Sequence, residues 1–131
     1  MKRALKKHRE KKFFVLFHIP PPLRYDNSHI KYGEWKKIKR VLDKFKERIV
    51  CVFCGHIHAF LNYRLDGYRI IITGGGGARL FDLKQDKLKA HHAIKLSALD
   101  KGKIKSQVIA VTGRKKHIAL AAEIRDSDRF S

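Results

Sequence analysis

The stretch Ile49-Val50-Cys51-Val52-Phe53-Cys54-Gly55-His56-Ile57-His58 decides how this chain is read. Its first six residues are a continuous apolar run of strand length, the pattern of a strand buried on both faces. Gly55 ends the run and permits a sharp exit. Two histidines one residue apart follow. The carboxyl edge of an open α/β sheet is where such sheets place their ligands, so the pair stands where chemistry is expected.

Upstream lies a second run of the same kind, Phe13–Phe17, which ends at His18 and is followed by Pro20-Pro21-Pro22. Residues Ile19–Ile30 have no period and read as a loop. Glu34–Arg48 carries Trp35, Ile38, Val41, Leu42 and Phe45 on one stripe, with Lys36, Lys37, Lys39, Arg40, Lys44 and Lys46 largely opposite. That is an amphipathic helix with a core face. Strand, loop, helix and strand make a βαβ unit with two parallel strands. His18 and His56 then occupy equivalent positions at the ends of neighbouring strands, and the prolines fix the backbone behind His18.

Downstream, Phe60–Leu65 and Tyr68–Thr73 flank Asp66-Gly67, a strong hairpin signal. Gly74-Gly75-Gly76-Gly77 follows. It lacks the Gly-Lys-Ser/Thr ending of a phosphate-binding P-loop and reads either as a flexible connection or as a wall beside the histidines. Ala90–Leu99 and Lys103–Val111 flank Asp100-Lys101-Gly102 as a second hairpin. Residues 112–131, with a short apolar middle at Ile118–Ala122, read as a C-terminal tail or a short helix. The expected class is α/β: a βαβ unit followed by antiparallel strands.

At 131 residues the chain is one domain or part of one. Its 44% apolar content argues against disorder. Lys and Arg number 31 against 12 Asp and Glu, a net charge of +19. The basic residues cluster in Met1–Lys12, in Lys36–Arg48 and around Arg114-Lys115-Lys116, and Met1–Lys12 reads as a basic, mostly exposed helix end. Such a balance fits a solvated basic surface, a nucleic-acid partner, or a fold whose acidic residues lie on other sequence. Cys51 and Cys54 sit three apart in a strand and so point to opposite faces, which rules out joint metal binding there. They read as buried free thiols in a reducing, cytoplasmic setting. No apolar stretch is long enough to span a membrane. The run before the prolines is too short for a signal peptide.

Neutral imidazoles suit Zn, Fe and Mn, which makes His18, His56 and His58 the candidate metal ligands. His29 is placed to reach a site mouth from its loop. His91-His92 opens a strand with alternating faces, which disfavours joint ligation, and His8 and His117 have no comparable context. A single zinc held by Cys54, His56, His58 and His18 is a further arrangement, although Cys54 lies inside the apolar run.

Taken in order, Phe-Val-Leu-Phe-His18-Ile-Pro-Pro, a helix, Val-Phe-Cys-Gly55-His56-Ile-His58 and a strand ending in Thr73-Gly74-Gly75-Gly76 resemble the C-terminal half of a calcineurin-like metallophosphoesterase. The resemblance covers about Lys11 to Val111, so residues 1–111 would be a partial domain of that family. It implies half of a four-layer αββα sandwich with two divalent transition metals (Mn, Fe or Zn) at the carboxyl edge of the sheets. His18 and His56 would bind one metal and His58 the other. The metals would polarise a phosphate mono- or diester and activate a bridging hydroxide.

The family's Asp-x-His, Gly-Asp-x-x-Asp and Gly-Asn-His motifs do not occur in this sequence. The resemblance therefore implies a truncated or split member, inactive alone, or a chain whose acidic ligands come from a complementary N-terminal half on another polypeptide, and it assigns no catalytic residue here. Alone, such a half would expose a strand edge and apolar faces and would self-associate or swap. The competing expectation is a basic nucleic-acid-binding module without catalysis.

Overall fold

A computed structural model describes residue 3 and residues 11–24, 27–86, 88–98, 104–112 and 116–120, the last segment and residue 112 as backbone alone. The chain is mixed α/β. Strand β1 (Phe13–Phe17) leads through the proline loop to helix α1 (Tyr32–Leu42), a 3-10 segment (Asp43–Arg48) and β2 (Ile49–Cys54). Strands β3 (Phe60–Leu65) and β4 (Tyr68–Thr73) follow, then β5 (His91–Ala98), β6 (Ile104–Thr112) and β7 (Lys116–Leu120).

The first four strands form one mixed sheet in the order β1-β2-β4-β3. β2 runs parallel to both β1 and β4, and β3 is antiparallel to β4. The carboxyl ends of β1, β2 and β4 therefore share one edge, in a register that aligns Phe17 with Cys54 and Cys54 with Ile72. The residues that follow those ends are His18, Gly55-His56 and, one residue past the Thr73 that closes β4, the glycine run. The second sheet is antiparallel, in the order β5-β6-β7.

Alternation along the strands divides the core into two faces. Val15, Val52, Cys54, Ile70 and Ile72 face α1 and bury Trp35 and Leu42. Cys51, Phe53 and Ile71 lie on the other face, where Phe14, Phe60 and Ile94 of β5 pack against them. The two thiols thus occupy opposite faces, and burial pushes each up to about 12. The Asp66-Gly67 turn has φ of 52° and 79°, the paired positive values of a type I′ hairpin. It is tied to the helix by Trp35 Nε1, which donates to Asp66 Oδ2 at 2.8 Å.

The α-helix ends at Leu42 and not at Arg48. Phe45, at φ −134°, leaves helical geometry. Asp43 at that break accepts from Lys39 Nζ and from Tyr68 Oη, each at 2.7 Å. These bonds anchor the break to β4 while the 3-10 segment carries the chain down to β2. Burial pushes the Asp43 carboxyl up, but the two donors outweigh it and hold it below the ordinary value.

The C-terminal segment also differs from expectation. Residues Lys116–Leu120 extend the second sheet as β7, pairing antiparallel with β6. A five-residue run is too short to hold a helix by itself, whereas β6 offers it a ladder. The rest of residues 113–131, most of Met1–Lys12 and the Asp100-Lys101-Gly102 turn lie outside the described residues. The strands on either side of that turn pair antiparallel as expected, from His91 with Val111 to Ala98 with Ile104.

Among the described residues β1 pairs with β2 alone, and its Leu16 is 76% exposed. No helix among them is long and apolar enough to cross a membrane.

Candidate metal centre at the sheet edge

The site is built from three loops leaving the same edge. In the first, Pro20 and Pro21 are buried, and the Pro20 carbonyl accepts from Ile30 N at 2.8 Å, which closes the proline loop behind His18. The second is joined to it where Gly55 N donates to the His18 carbonyl at 3.1 Å. Ile57 is fully buried, and two tight bonds, Ile57 N to Gly55 O and Ala59 N to Ile57 O, fold the segment around it. With Ile57 turned inward, the flanking histidines turn outward.

His18 and His56 are exposed and meet in a T-shaped contact, with ring planes at 74°. His18 Nε2 and His56 Nδ1 are 3.3 Å apart. Two nitrogens bound to one tetrahedral metal at ~2.0–2.1 Å stand ~3.3 Å from each other. The observed separation therefore suits two ligands of a single ion as well as an imidazole–imidazole hydrogen bond. The sharp exit from β2 falls at His56, whose φ is +64°, and not at Gly55. A non-glycine residue held in that region stores strain of the kind found at functional sites.

His58 is not brought to this pair. Its Nδ1 donates to the Arg79 carbonyl at 3.0 Å, its own carbonyl accepts from Phe81 N at 2.9 Å, and its ring packs on Phe81. In the neutral tautomer that makes this bond, Nε2 carries the lone pair. Among the described residues no group of three or more His, Cys, Asp or Glu side chains converges as a metal cage. The imidazole pair fits part of one ion's shell, and among the described residues no carboxylate completes it. His29 bonds the carbonyl of Ile30 in its own loop. Cys54 belongs to the core cluster.

The third loop backs the second. A Cβ on Gly74 would strike the Ile57 carbonyl and crowd His58 Cα, so this close approach admits only glycine. Gly75 rests on the ring of His92, and its carbonyl accepts from His92 N at 3.0 Å and from His91 Nδ1 at 3.2 Å. His92 is buried, with Nδ1 bonded to the Ala90 carbonyl and no partner for Nε2 among the described residues. The glycine run is thus the wall between the Gly55–His58 turn and β5.

Asp86 was not legible as part of this wall. It is 1% exposed, and its carboxylate accepts from Phe60 N, Leu88 N and Lys89 N at 2.9 to 3.0 Å. Phe60 opens β3 directly after the histidines, so Asp86 fastens the loop after the glycines to the start of that strand. A lone acid in a polar stretch gives no sequence signal for such a role.

No family model matches this chain, and no curated protein or solved structure matches it.

Proposed function

We propose that this chain supplies the imidazole half of a calcineurin-like metallophosphoesterase centre, hydrolysing phosphate mono- or diesters once acidic ligands are added. The observation that carries the reading is the His18–His56 separation of 3.3 Å at the carboxyl ends of adjacent parallel strands. His58, held on the same turn, would serve the second ion. A metal bound there supplies polarisation of the phosphate and a hydroxide nucleophile. The chain's own residues position: the proline loop fixes His18, Ile57 aims His56 outward, and Gly74 and Asp86 hold the turn against β3 and the glycine wall. The remaining architecture of an αββα sandwich is part of the same proposal, as is a cytoplasmic setting for the two buried thiols.

The test measures phosphatase and phosphodiesterase turnover with Mn²⁺ or Zn²⁺, alone and after adding a polypeptide bearing Asp-x-His, Gly-Asp-x-x-Asp and Gly-Asn-His. Turnover is expected only in the mixture. Robust turnover by the chain alone would overturn its incompleteness, and an inert mixture would overturn the hydrolase reading.

One observation favours the second reading, a nucleic-acid-binding module. Lys36 and Arg40 lie one turn apart on the exposed face of α1, followed by exposed Lys44. A ridge of this kind neutralises phosphates, so RNA or DNA binding through it would fall steeply with salt. Binding insensitive to salt would dismiss it.

A further inference from the structure

Arg79 stands where the glycine wall meets His58. Its carbonyl accepts the His58 Nδ1 proton, and two residues on, Phe81 both donates its N–H to the His58 carbonyl and lays its ring against the imidazole, centroids 5.2 Å apart. These contacts clip the backbone at Arg79 and at Phe81 to the ligand-bearing turn. They use the Arg79 carbonyl and not its side chain. That side chain is exposed.

The acids that follow are engaged elsewhere. Asp82 pairs with Lys89 at 2.6 Å, and Asp86 is buried against backbone N–H groups. Arg79 thus presents a guanidinium with no carboxylate partner among the described residues, on the backbone that touches His58.

We propose that Arg79 binds the phosphoryl oxygens of the substrate beside His58 and favours monoesters over diesters. The proposal rests on the phosphoesterase reading and names the substrate class of that site. A guanidinium is charged at every working pH and offers paired N–H donors that match two phosphate oxygens in a bidentate fork. A monoester carries about two negative charges at neutral pH, and a diester carries one. The fork gains more from the dianion. A lysine at this position would supply the charge without the fork.

The experiment titrates the full chain with inorganic phosphate at pH 8 and follows the His58 ring resonance by NMR, in parallel with dimethyl phosphate. Wild type should shift His58 with phosphate and respond several-fold more weakly to dimethyl phosphate. Arg79→Ala should weaken the phosphate response by roughly 10-fold, and Arg79→Lys should fall between. Lys95→Ala, which removes one charge from exposed β5, should change it less than twofold.

Equal losses in Arg79→Ala and Lys95→Ala would reduce the effect to the general +19 field and overturn the proposal. So would a His58 resonance indifferent to phosphate, and dimethyl phosphate binding as tightly as phosphate would overturn the monoester preference. The hydrolase reading fails separately. An inert mixture with the acidic polypeptide, beside an Arg79-dependent phosphate shift, would leave the anion site standing. An active mixture whose KM ignores Arg79→Ala would remove Arg79 and keep the hydrolase.

Discussion

His56 Nδ1 lies 3.3 Å from His18 Nε2, although 38 residues separate the two in sequence. Parallel pairing of β1 with β2 produces that meeting, because it stacks Phe17 beside Cys54 and carries the next residues out together. If the pair is a metal bite, His18→Ala and His56→Ala should each lower Zn²⁺ affinity more than about 10-fold. His58→Ala should change it little in the lone chain, because His58 is engaged with Arg79 and Phe81. Competition with a chromophoric chelator measures this, and a loss confined to His58→Ala would refute the pair.

The glycine wall makes a steric prediction. An alanine at position 74 would drive its Cβ into the Ile57 carbonyl, while one at position 76 meets nothing within 4 Å. Gly74→Ala should cost about 2–3 kcal/mol, typical of forced overpacking, and Gly76→Ala should stay within about 0.5 kcal/mol. Urea midpoints compare them. Equal midpoints would mean the turn and the wall do not abut.

Much of the arrangement was readable from residue patterns, and the exceptions have physical causes. The continuous apolar runs at Phe13–Phe17 and Ile49–Cys54 are both strands, but two-face burial holds only for the second: Cys51–Cys54 are buried, while Leu16 of β1 is 76% exposed because β1 has a neighbour on one side alone among the described residues. Asp66-Gly67 could hardly be other than a tight hairpin. The apolar stripe runs six residues past the true end of the helix at Leu42 because Phe45 continues it, while the Phe45 dihedrals answer to the descent into β2. Residues Lys116–Leu120 were ambiguous because a short run takes its structure from its neighbour, here β6. At the site, equivalence of strand ends was enough to pair His18 with His56. It was not enough to show His58 tied to Arg79, or Asp86 reaching back to Phe60, since both depend on how a long loop folds over the sheet edge.

Asp86 gives a prediction about that loop. Removing its carboxylate would strand three N–H donors, those of Phe60, Leu88 and Lys89. At roughly 1 kcal/mol for each lost bond, Asp86→Ala should destabilise by about 3 kcal/mol. Asp86→Asn should cost less, because its carbonyl oxygen still serves one side while its NH₂ faces a donor on the other. Equal stability of wild type and Asp86→Ala would show that the carboxylate does not hold the loop.

The thiols carry a pH prediction. Cys51 and Cys54 sit at about 12 in the fold because burial disfavours the thiolate, against an ordinary value of 9.0. Between those values the unfolded chain releases protons that the native chain keeps. The thiols' contribution to stability should therefore be flat below pH 9 and fall as pH rises toward 12, by up to about 1.4 kcal/mol per pH unit for each thiol. A thiol reagent at pH 8 should label neither cysteine until denaturant is added. Rapid labelling of the native chain would show that the strand interior is open.

His56 tests whether strain and function coincide. Its backbone sits at φ +64°, where a side chain costs about 1–2 kcal/mol and glycine costs almost nothing. Its ring is exposed, so the fold loses little packing when the ring is removed. His56→Gly should then raise stability by about 1 kcal/mol, less the extra entropy glycine brings to the unfolded chain, and should abolish the His18–His56 metal bite. His56→Ala should lose the metal without gaining the stability. Thermal unfolding and Zn²⁺ titration on the same three proteins separate the effects. A glycine variant no more stable than the alanine variant would mean the left-handed turn is not strained. The histidine would then be there for no reason the backbone opposes.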